Sequence, residues 1–193
     1  SESIFSLGNG RMGQRANFEE AYSGPTLQGS YIAGVYYPDK TRVGWWKNGY
    51  PEFFAKVLNS PNWIGIRVEV DGVELDIHTC TLHSFRRELN MKEGTLSRSF
   101  TVSCEKGKEI EVNVIRFLSI VDDEIGAIRY SVKPLNFDAK IAFTPYIDGN
   151  VNNTDSNYDE HFWNLVDSEA KEGEAVLVSK TKKSGFSASF AMN

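Results

Sequence analysis

The sequence predicts an all-β protein: a large antiparallel β-sandwich with long glycine- and aromatic-rich loops and at most one or two short helices. Short segments in which apolar and polar residues alternate recur along the chain at spacings of about 8–12 residues, which is typical of sandwiches and barrels. Turn residues separate these segments, as at Asp71-Gly72. No strand–helix–strand alternation points to a parallel sheet. We therefore expect one β-sandwich domain over residues 1–193.

The opening stretch, residues 5–54, has no helical or strand period. It holds 8 of the 16 glycines and 11 of the 24 aromatic residues. Glycine permits backbone shapes that are closed to other residues, while each aromatic side chain offers about 150–250 Å² of surface for burial. Such a segment is poorly suited to be a solvated linker, so we expect a set of loops laid across the domain or across a neighbouring surface.

One segment after this stretch predicts a helix, over residues 51–60. Pro51 suits the first helical position, and Phe54, Val57 and Leu58 fall on one helical face. Pro61 would end the helix.

From Trp63 onward the sequence predicts strands, because apolar residues recur with a period of two. Turn signals lie at residues 71–72, 92–94, 105–107 and 122–123. The predicted strands cover residues 64–70, 73–77, 78–89, 95–104, 109–121, 127–134, 139–148, 161–170, 174–181 and 185–193.

Composition narrows the function classes. The net charge of −5 argues against a nucleic-acid partner, whose phosphates call for a basic face. No 18-residue apolar span and no signal peptide is legible, so we expect a cytoplasmic protein without a membrane partner. Cys80 and Cys104 make no disulfide framework, and we expect reduced thiols. The sequence begins and ends in strand-like segments, so we expect this chain to be a piece of a larger protein.

Two motifs resemble ligand loops without fitting them. Residues 8–13 match G-x-G-x-x-G, but a dinucleotide site needs that motif to open a helix within a βαβ unit. We predict a tight glycine turn instead. Residues 155–159 begin like a calcium loop, yet Glu160 stands where the loop needs glycine and Val166 where it needs a bidentate glutamate. We therefore predict no EF-hand and no metal site, with an opportunistic cation among Asp148, Asp155, Asp159 and Glu160 as the alternative that stays open.

Candidate carbohydrate- or interface-binding residues lie in two loops, at residues 45–47 and 148–163, and at Tyr37 before the first loop. The polar loop at residues 148–163 combines amides, carboxylates and aromatics, which suit sugar hydroxyls and faces, but Asn and Asp also favour turns for local reasons. Trp45-Trp46 can place one ring inward and the other toward a partner. Both packing and sugar contact stay open for these residues. The candidates are Tyr37, Trp45, Trp46, Lys47, Asn153, Asp155, Asn157, Glu160 and Trp163.

No catalytic residue is predicted. Glycosidases use two carboxyl groups at defined separations, whereas the pairs here are adjacent residues in expected loops, where exposure is the default: Glu19-Glu20, Asp122-Asp123 and Asp159-Glu160. The three histidines are separated, and no nucleophile or metal-ligand spacing accompanies them.

Four long sequence segments resemble a known family. They are SIFSLGNGRMGQRANFEE, GSYIAGVYYPDKTRVGWWKNGYPEFFAKVLNSPNW, LDIHTCTLHSFRRELNMKEGTLSRSF and DGNVNNTDSNYDEHFW. Together they cover most of the chain and resemble the amino-terminal domain of glycoside hydrolase family 65, which comprises maltose, trehalose and kojibiose phosphorylases and related α-glucosidases. The sequence departs from the usual family pattern at Arg11 and Ala16.

The resemblance implies a β-supersandwich whose parent enzyme carries its catalytic residues on a carboxy-terminal (α/α)₆ barrel that this chain lacks. The parent would be an inverting phosphorylase of α-linked glucose disaccharides, with inorganic phosphate as co-substrate and no cofactor. The domain itself would be non-catalytic, pack on the barrel, help shape the carbohydrate site and take part in a homodimer. Three alternatives stay open: a hydrolase of the same family, a stand-alone carbohydrate-binding module, and a purely structural oligomerisation domain.

Overall fold

The computed structural model describes residues 1–41, 51–104, 107–154 and 160–193. Within these ranges β-strands dominate and no α-helix occurs. The strands are β1 Leu7–Gly8, β2 Met12–Gln14, β3 Ser30–Ile32, β4 Tyr36–Lys40, β5 Phe53–Val57, β6 Asn62–Val70, β7 Val73–Glu74, β8 Thr81–Asn90, β9 Thr95–Ser103, β10 Glu109–Leu118, β11 Gly126–Pro134, β12 Ile141–Asp148, β13 Trp163–Lys171, β14 Glu174–Thr181 and β15 Ser187–Met192.

The chain divides into two compact units, each built from two stretches of sequence. Unit 1 comprises Ser1–Gly29 and Ile64–Tyr146, and unit 2 comprises Ser30–Trp63 and Ile147–Asn193. That residues 1–193 make one domain stays a prediction.

A four-stranded antiparallel sheet dominates unit 1, in the order β11-β10-β9-β8. Its two central strands, β9 and β10, alternate between buried and accessible positions. This is the period of two that the sequence shows, with one face turned to a core.

A second layer completes a sandwich in unit 1. Strands β6 and β12 lie largely in this unit, and the sheet order is β12-β6-β7. Apolar side chains of the two layers form one core cluster: Val68, Val70, Leu75 and Ile77 from one side and Phe100, Val102, Ile110, Val112 and Val114 from the other. The predicted all-β antiparallel sandwich is confirmed.

The Asp71-Gly72 turn joins β6 to β7 as predicted. Both residues have positive φ, 52° at Asp71 and 81° at Gly72, which is the signature of a two-residue type I′ hairpin. Glu69 pairs with Glu74, and Val70 with Val73.

The glycine motif at residues 8–13 is also a turn, as predicted. It connects β1 to β2, which pair antiparallel, and Gly10 has a φ of 92°. Asn9 closes the turn, because its Oδ1 accepts a hydrogen bond of 2.7 Å from the Met12 amide. Its Nδ2 donates to the carbonyls of Ser119 and Asp123.

Unit 2 contains the antiparallel pair β4–β5 and the three-stranded sheet β13-β14-β15. One side of the β4–β5 pair faces a small core with Tyr37, Leu58, Val151, Phe162 and Trp163.

The predicted helix over residues 51–60 is wrong. Residues 53–57 form β5, which pairs along its length with β4. Phe54, Val57 and Leu58 fit a helical face by spacing, but only Leu58 is buried, and Phe54 and Val57 are exposed. Pairing with a strand distant in sequence has overridden the local pattern.

Candidate functional site

Four of the nine predicted site residues lie in the described part of the chain: Tyr37, Asn153, Glu160 and Trp163. Trp45, Trp46, Lys47, Asp155 and Asn157 lie outside the described residues. The four described ones all belong to unit 2.

Tyr37 is 2% exposed on the inward side of β4. The ring of Phe162 meets it edge-on at 4.6 Å between centroids. Lys183 Nζ lies 4.6 Å from the same ring, at cation–π distance. With these two neighbours in place and almost no accessible surface, the Tyr37 ring offers no face for a sugar in this structure.

Asn59 connects the polar loop to the segment after β5. The Asn59 backbone amide donates to Asn153 Oδ1 at 2.9 Å. The Asn59 side chain donates from Nδ2 to the Asn152 carbonyl and accepts at Oδ1 from the Ser30 backbone amide. Trp163 Nε1 donates to the Asn59 carbonyl at 2.9 Å. These bonds satisfy polar groups that would otherwise be buried without partners.

Asn153 completes this arrangement by donating from Nδ2 to the Val57 carbonyl at 2.9 Å. Trp163 is 7% exposed, and Glu160 is partly exposed. For Tyr37, Asn153 and Trp163 the geometry therefore favours packing over direct sugar contact, which are the two roles that the residue types left open.

A buried ion pair lies beside the same core. Lys56 Nζ is 2.9 Å from Asp39 Oδ2, and both side chains are almost fully buried. The ammonium is also 5.2 Å from the Phe162 ring centroid. Lys56 and Asp39 lie on adjacent strands and face the same side of the β4–β5 pair as Tyr37.

Unit 1 holds a second and larger buried ionic cluster, which we call the arginine–glutamate cluster: Glu19, Glu20, Arg98, Arg116 and Tyr130. Arg98 binds Glu20 through two bonds of 2.5 Å and Glu19 through one of 2.6 Å. Arg116 Nη1 is 2.7 Å from Glu19 Oε1. The Tyr130 hydroxyl donates to Glu20 Oε2 at 3.0 Å. Two cations thus balance two anions out of contact with water.

Arginine side chains and aromatic rings enclose this cluster. The Arg98 guanidinium lies 4.5 Å from the Phe18 ring centroid and 5.1 Å from that of Phe100. Arg87 adds a further cation 5.2 Å from the Phe18 ring. Arg116 also donates to the Arg15 and Asn17 carbonyls, so the opening segment is tied to the sheet by backbone as well as by carboxylates.

The surroundings decide the protonation of these groups. Burial alone would raise the pKa of Glu19, but the Arg98 and Arg116 guanidiniums outweigh it and lower that pKa below its ordinary value. Burial, followed by the Glu20 charge, raises the pKa of Tyr130. Burial lowers the pKa of Arg116 against the opposing charge of Glu19. A carboxylate held ionised between two arginines is unsuited to act as a general acid.

The expectation that Glu19 and Glu20 are exposed is therefore wrong, since each is 3% exposed. A signal for this was present in the sequence. Arg98 lies in phase with Leu96 and Phe100, and Arg116 in phase with Val112 and Val114, so both occupy inward positions of amphipathic strands. Inward cations on two neighbouring strands require buried anions.

The arrangement so far is a β-sandwich with structural ionic clusters, and comparison with known proteins assigns it to a family. The whole chain, residues 1–193, matches the family described as glycosyl hydrolase family 65, N-terminal domain. The chain belongs to this family.

Relatives of this family 65 N-terminal domain include several phosphorylases. The chain is 51% identical over 185 residues to maltose phosphorylase of Bacillus subtilis (strain 168). The aligned region covers 96% of this chain and 24% of that protein. It is 34% identical over 208 residues to the α,α-trehalose phosphorylase of Thermoanaerobacter brockii, covering 100% of this chain and 26% of that protein. The chain thus spans about a quarter of the length of these curated relatives.

A solved structure supports the fold assignment. It is described as a kojibiose phosphorylase from the human microbiome, and it superposes with a TM-score of 0.81 at 29% identity, covering 95% of this chain and 24% of that chain.

Among the described residues of this family 65 domain, no helix is long and apolar enough to cross a membrane. Over the same ranges, no group of three or more His, Cys, Asp or Glu side chains is arranged to hold a metal ion.

Proposed function

We propose that this chain is the non-catalytic N-terminal domain of an inverting phosphorylase that cleaves maltose. The observation that carries the proposal is the 51% identity to a maltose phosphorylase over 96% of the chain. Identity to the trehalose phosphorylase and to the kojibiose phosphorylases is 34% or lower. Inorganic phosphate would be the co-substrate, and β-glucose 1-phosphate and glucose the products.

In this proposal the reaction takes place outside the present chain. The parent enzyme's catalytic barrel would supply a glutamate that protonates the glycosidic oxygen, while phosphate attacks the anomeric carbon from the opposite face. The ionised, doubly paired state of Glu19 supports leaving the buried carboxylates of this domain out of that chemistry.

The domain's own role would be to pack on the catalytic barrel. The outward side of the β4–β5 pair supports this role, because register places Tyr36 beside Val57 and Lys40 beside Phe53 on that side, with Pro38 and Ala55 between them. Tyr36, Phe53 and Val57 are 45%, 49% and 62% exposed. The solvent side of an antiparallel pair is normally polar, so exposed apolar side chains here indicate a partner surface.

The stand-alone carbohydrate-binding module is disfavoured by the burial of Tyr37 and Trp163, which removes two rings from a sugar-binding platform. A hydrolase of the same family differs from a phosphorylase only in using water in place of phosphate. Comparing the reaction with and without phosphate distinguishes the two enzymes.

The assay uses the full-length enzyme that contains this domain, with maltose, trehalose and kojibiose as substrates, with and without phosphate. We expect phosphate-dependent release of glucose and β-glucose 1-phosphate from maltose and much slower release from the other two sugars. Glucose release that needs no phosphate would show a hydrolase. Faster turnover of trehalose than of maltose would contradict the substrate assignment.

The interface is tested separately by hydrogen exchange. In the full-length enzyme we expect amides of β5 to exchange more slowly than in the 193-residue chain, because the barrel would cover them. Equal exchange in both proteins would contradict docking through the β4–β5 pair and leave the substrate assignment untouched.

A further inference from the structure

The outer face of the four-stranded sheet in unit 1 contains a shallow cavity of about 270 Å³. Six polar or charged residues of this face line the cavity: Arg86, Ser97, Ser99, Asn113, Arg129 and Ser131. Strand ladders build this site, so its shape is set by the rigid part of the unit and not by a loop.

The register of the strands explains the shape. Ser99 of β9 pairs with Arg86 on one side and with Asn113 on the other, and Asn113 pairs with Ser131. Directly paired residues of antiparallel strands project from the same face. The short side chains on the central strands therefore form a floor, while long cationic side chains rise from the two edge strands, Arg86 from β8 and Arg129 from β11.

Most of the hydrogen-bonding capacity of this floor is unused. Among the described residues, the side chains of Ser97, Ser99, Ser131 and Arg129 make no hydrogen bond and no ion pair. Arg86 makes one ion pair, from Nη2 to Glu88 Oε2 at 2.5 Å, and both partners of this pair are exposed. Asn113 Nδ2 donates to Glu111 Oε1 outside the cavity.

The cavity lining includes two exposed cations, Arg86 and Arg129, and no carboxylate. Two carboxylates lie beside this lining: Glu88, which pairs with Ser97 in the sheet, and Glu111, which accepts from Asn113. Two guanidiniums that face hydroxyl and amide donors form the kind of lining that recognises planar or tetrahedral oxyanions. Arginine in particular binds phosphate through paired N–H donors.

We propose that this groove, defined by Arg86, Ser97, Ser99, Asn113, Arg129 and Ser131, binds a phosphoryl oxyanion, either as free phosphate or as the phosphate group of a monosaccharide. Arg129 binds the oxyanion first, since it has no competing partner among the described residues. Arg86 follows by exchanging its bond to Glu88 for one to the ligand. The volume lies just below the range of drug-sized ligand sites, so a small ligand fits it. The site is separate from the proposed function and needs no catalysis.

The test is a titration of the isotope-labelled protein with sodium phosphate, glucose 1-phosphate and glucose at constant ionic strength, followed by amide NMR shifts. We expect phosphate and glucose 1-phosphate to shift the amides of Ser97, Ser99 and Ser131 in a saturable way, whereas glucose leaves them in place. Tighter binding of glucose 1-phosphate than of phosphate identifies a sugar phosphate as the ligand, and equal binding identifies the free anion. Saturable shifts with glucose alone, or none with either phosphate compound, would overturn the proposal.

Variants make the test specific. Arg129→Gln should weaken phosphate binding about tenfold or more, because a charged hydrogen bond is lost. Glu88→Gln should strengthen binding, because it releases Arg86 from its carboxylate partner. Arg67→Gln is the matched control, since Arg67 is an exposed arginine of unit 1 paired with Glu74 at 3.5 Å and does not line the groove. Equal weakening by Arg129→Gln and Arg67→Gln would show general charge attraction and overturn the site.

Discussion

At the scale of single residues, the arginine–glutamate cluster fixes the opening segment onto the sheet of unit 1. Its members come from distant parts of the sequence, since Arg98 bonds to carboxylates 78 and 79 residues away. Buried ion pairs add little net stability compared with an apolar replacement, but removing one partner leaves a charge uncompensated in the interior. The cluster is therefore sensitive to single substitutions.

Arg98→Met should destabilise the protein by about 3–5 kcal/mol, because Glu20 then loses its only guanidinium partner in the cluster and stays buried. Urea unfolding followed by circular dichroism measures the change in the free energy of unfolding. Lys171→Met is the control, as its ion pair with Glu169 is exposed on both sides and should contribute almost nothing. A similar small change in both variants would contradict the buried ionic role of Arg98.

The lowered pKa of Glu19 predicts a pH dependence of stability. The folded state holds this carboxyl ionised below its ordinary pKa of 4.5, so its contribution is fully present above about pH 4.5 and is lost as the pH falls through the folded-state pKa. Glu19→Gln should therefore destabilise the protein by about 3–5 kcal/mol at neutral pH, and the difference from wild type should narrow below pH 4.5.

Urea unfolding at several pH values between 7 and 3 checks this, with Glu93→Gln as the control because Glu93 is exposed in the β8–β9 turn. A stability difference between wild type and Glu19→Gln that stays constant over the range would contradict an ionised Glu19.

At the scale of elements, tight hairpins and strand pairing decide the structure more than local propensity does. The Asp71-Gly72 hairpin needs positive φ at both residues. Lys108 Nζ and the Lys140 backbone amide donate to the Asp71 carboxylate, so the first position is supported by residues that directly precede β10 and β12. Gly72 has no such support and depends on the absence of a Cβ.

Gly72→Ala should lower the free energy of unfolding by about 1–2 kcal/mol, because an L-residue in the left-handed region clashes with its own backbone. No atom outside the turn lies within 4 Å of the added Cβ, so the effect is one of conformation and not of packing. Gly8→Ala is the matched control. Gly8 lacks a positive φ, and its Cβ would meet the Met12 carbonyl at an ordinary 3.6 Å. Thermal unfolding of both variants decides, and equal losses would contradict the argument.

At the scale of the whole molecule, the proposed function assigns scaffolding to this chain and chemistry to the rest of the enzyme. A domain that spans about a quarter of its phosphorylase relatives would bring a scaffold and an interface, and the catalytic groups would come from the rest of the enzyme. The domain's two ionic clusters are buried and internally paired, which suits a scaffold.

The 193-residue chain alone should release no glucose and no glucose 1-phosphate from maltose, trehalose or kojibiose, with or without phosphate. The physical reason is that the buried carboxylates of the described residues, Glu19, Glu20 and Asp39, are each paired with a buried cation. A coupled glucose assay against a mock preparation measures this. Turnover above the mock, abolished by a substitution within the chain, would contradict the non-catalytic assignment.

Much of the fold followed from the sequence. Alternation in segments such as 64–70 and 109–121 predicted strands, because a strand with one buried face must be apolar at every second position. Asp71-Gly72 and the glycines of residues 8–13 predicted turns, because few other residues adopt positive φ without strain. These features depend on neighbours in sequence. The long segments that indicated the family are recognised from their sequence alone.

The sequence by itself therefore determined the strand pattern, the turns and the family, while the tertiary structure alone decided what each polar residue faces. Within the predicted helix at residues 51–60, residues 53–57 became β5 because β4 offered a pairing partner, which no local pattern reveals. Glu19 and Glu20 became buried because Arg98 and Arg116, far along the chain, project inward from neighbouring strands. The serine and arginine groove likewise exists only through strand register, which sets side chains from four separate segments side by side on one face.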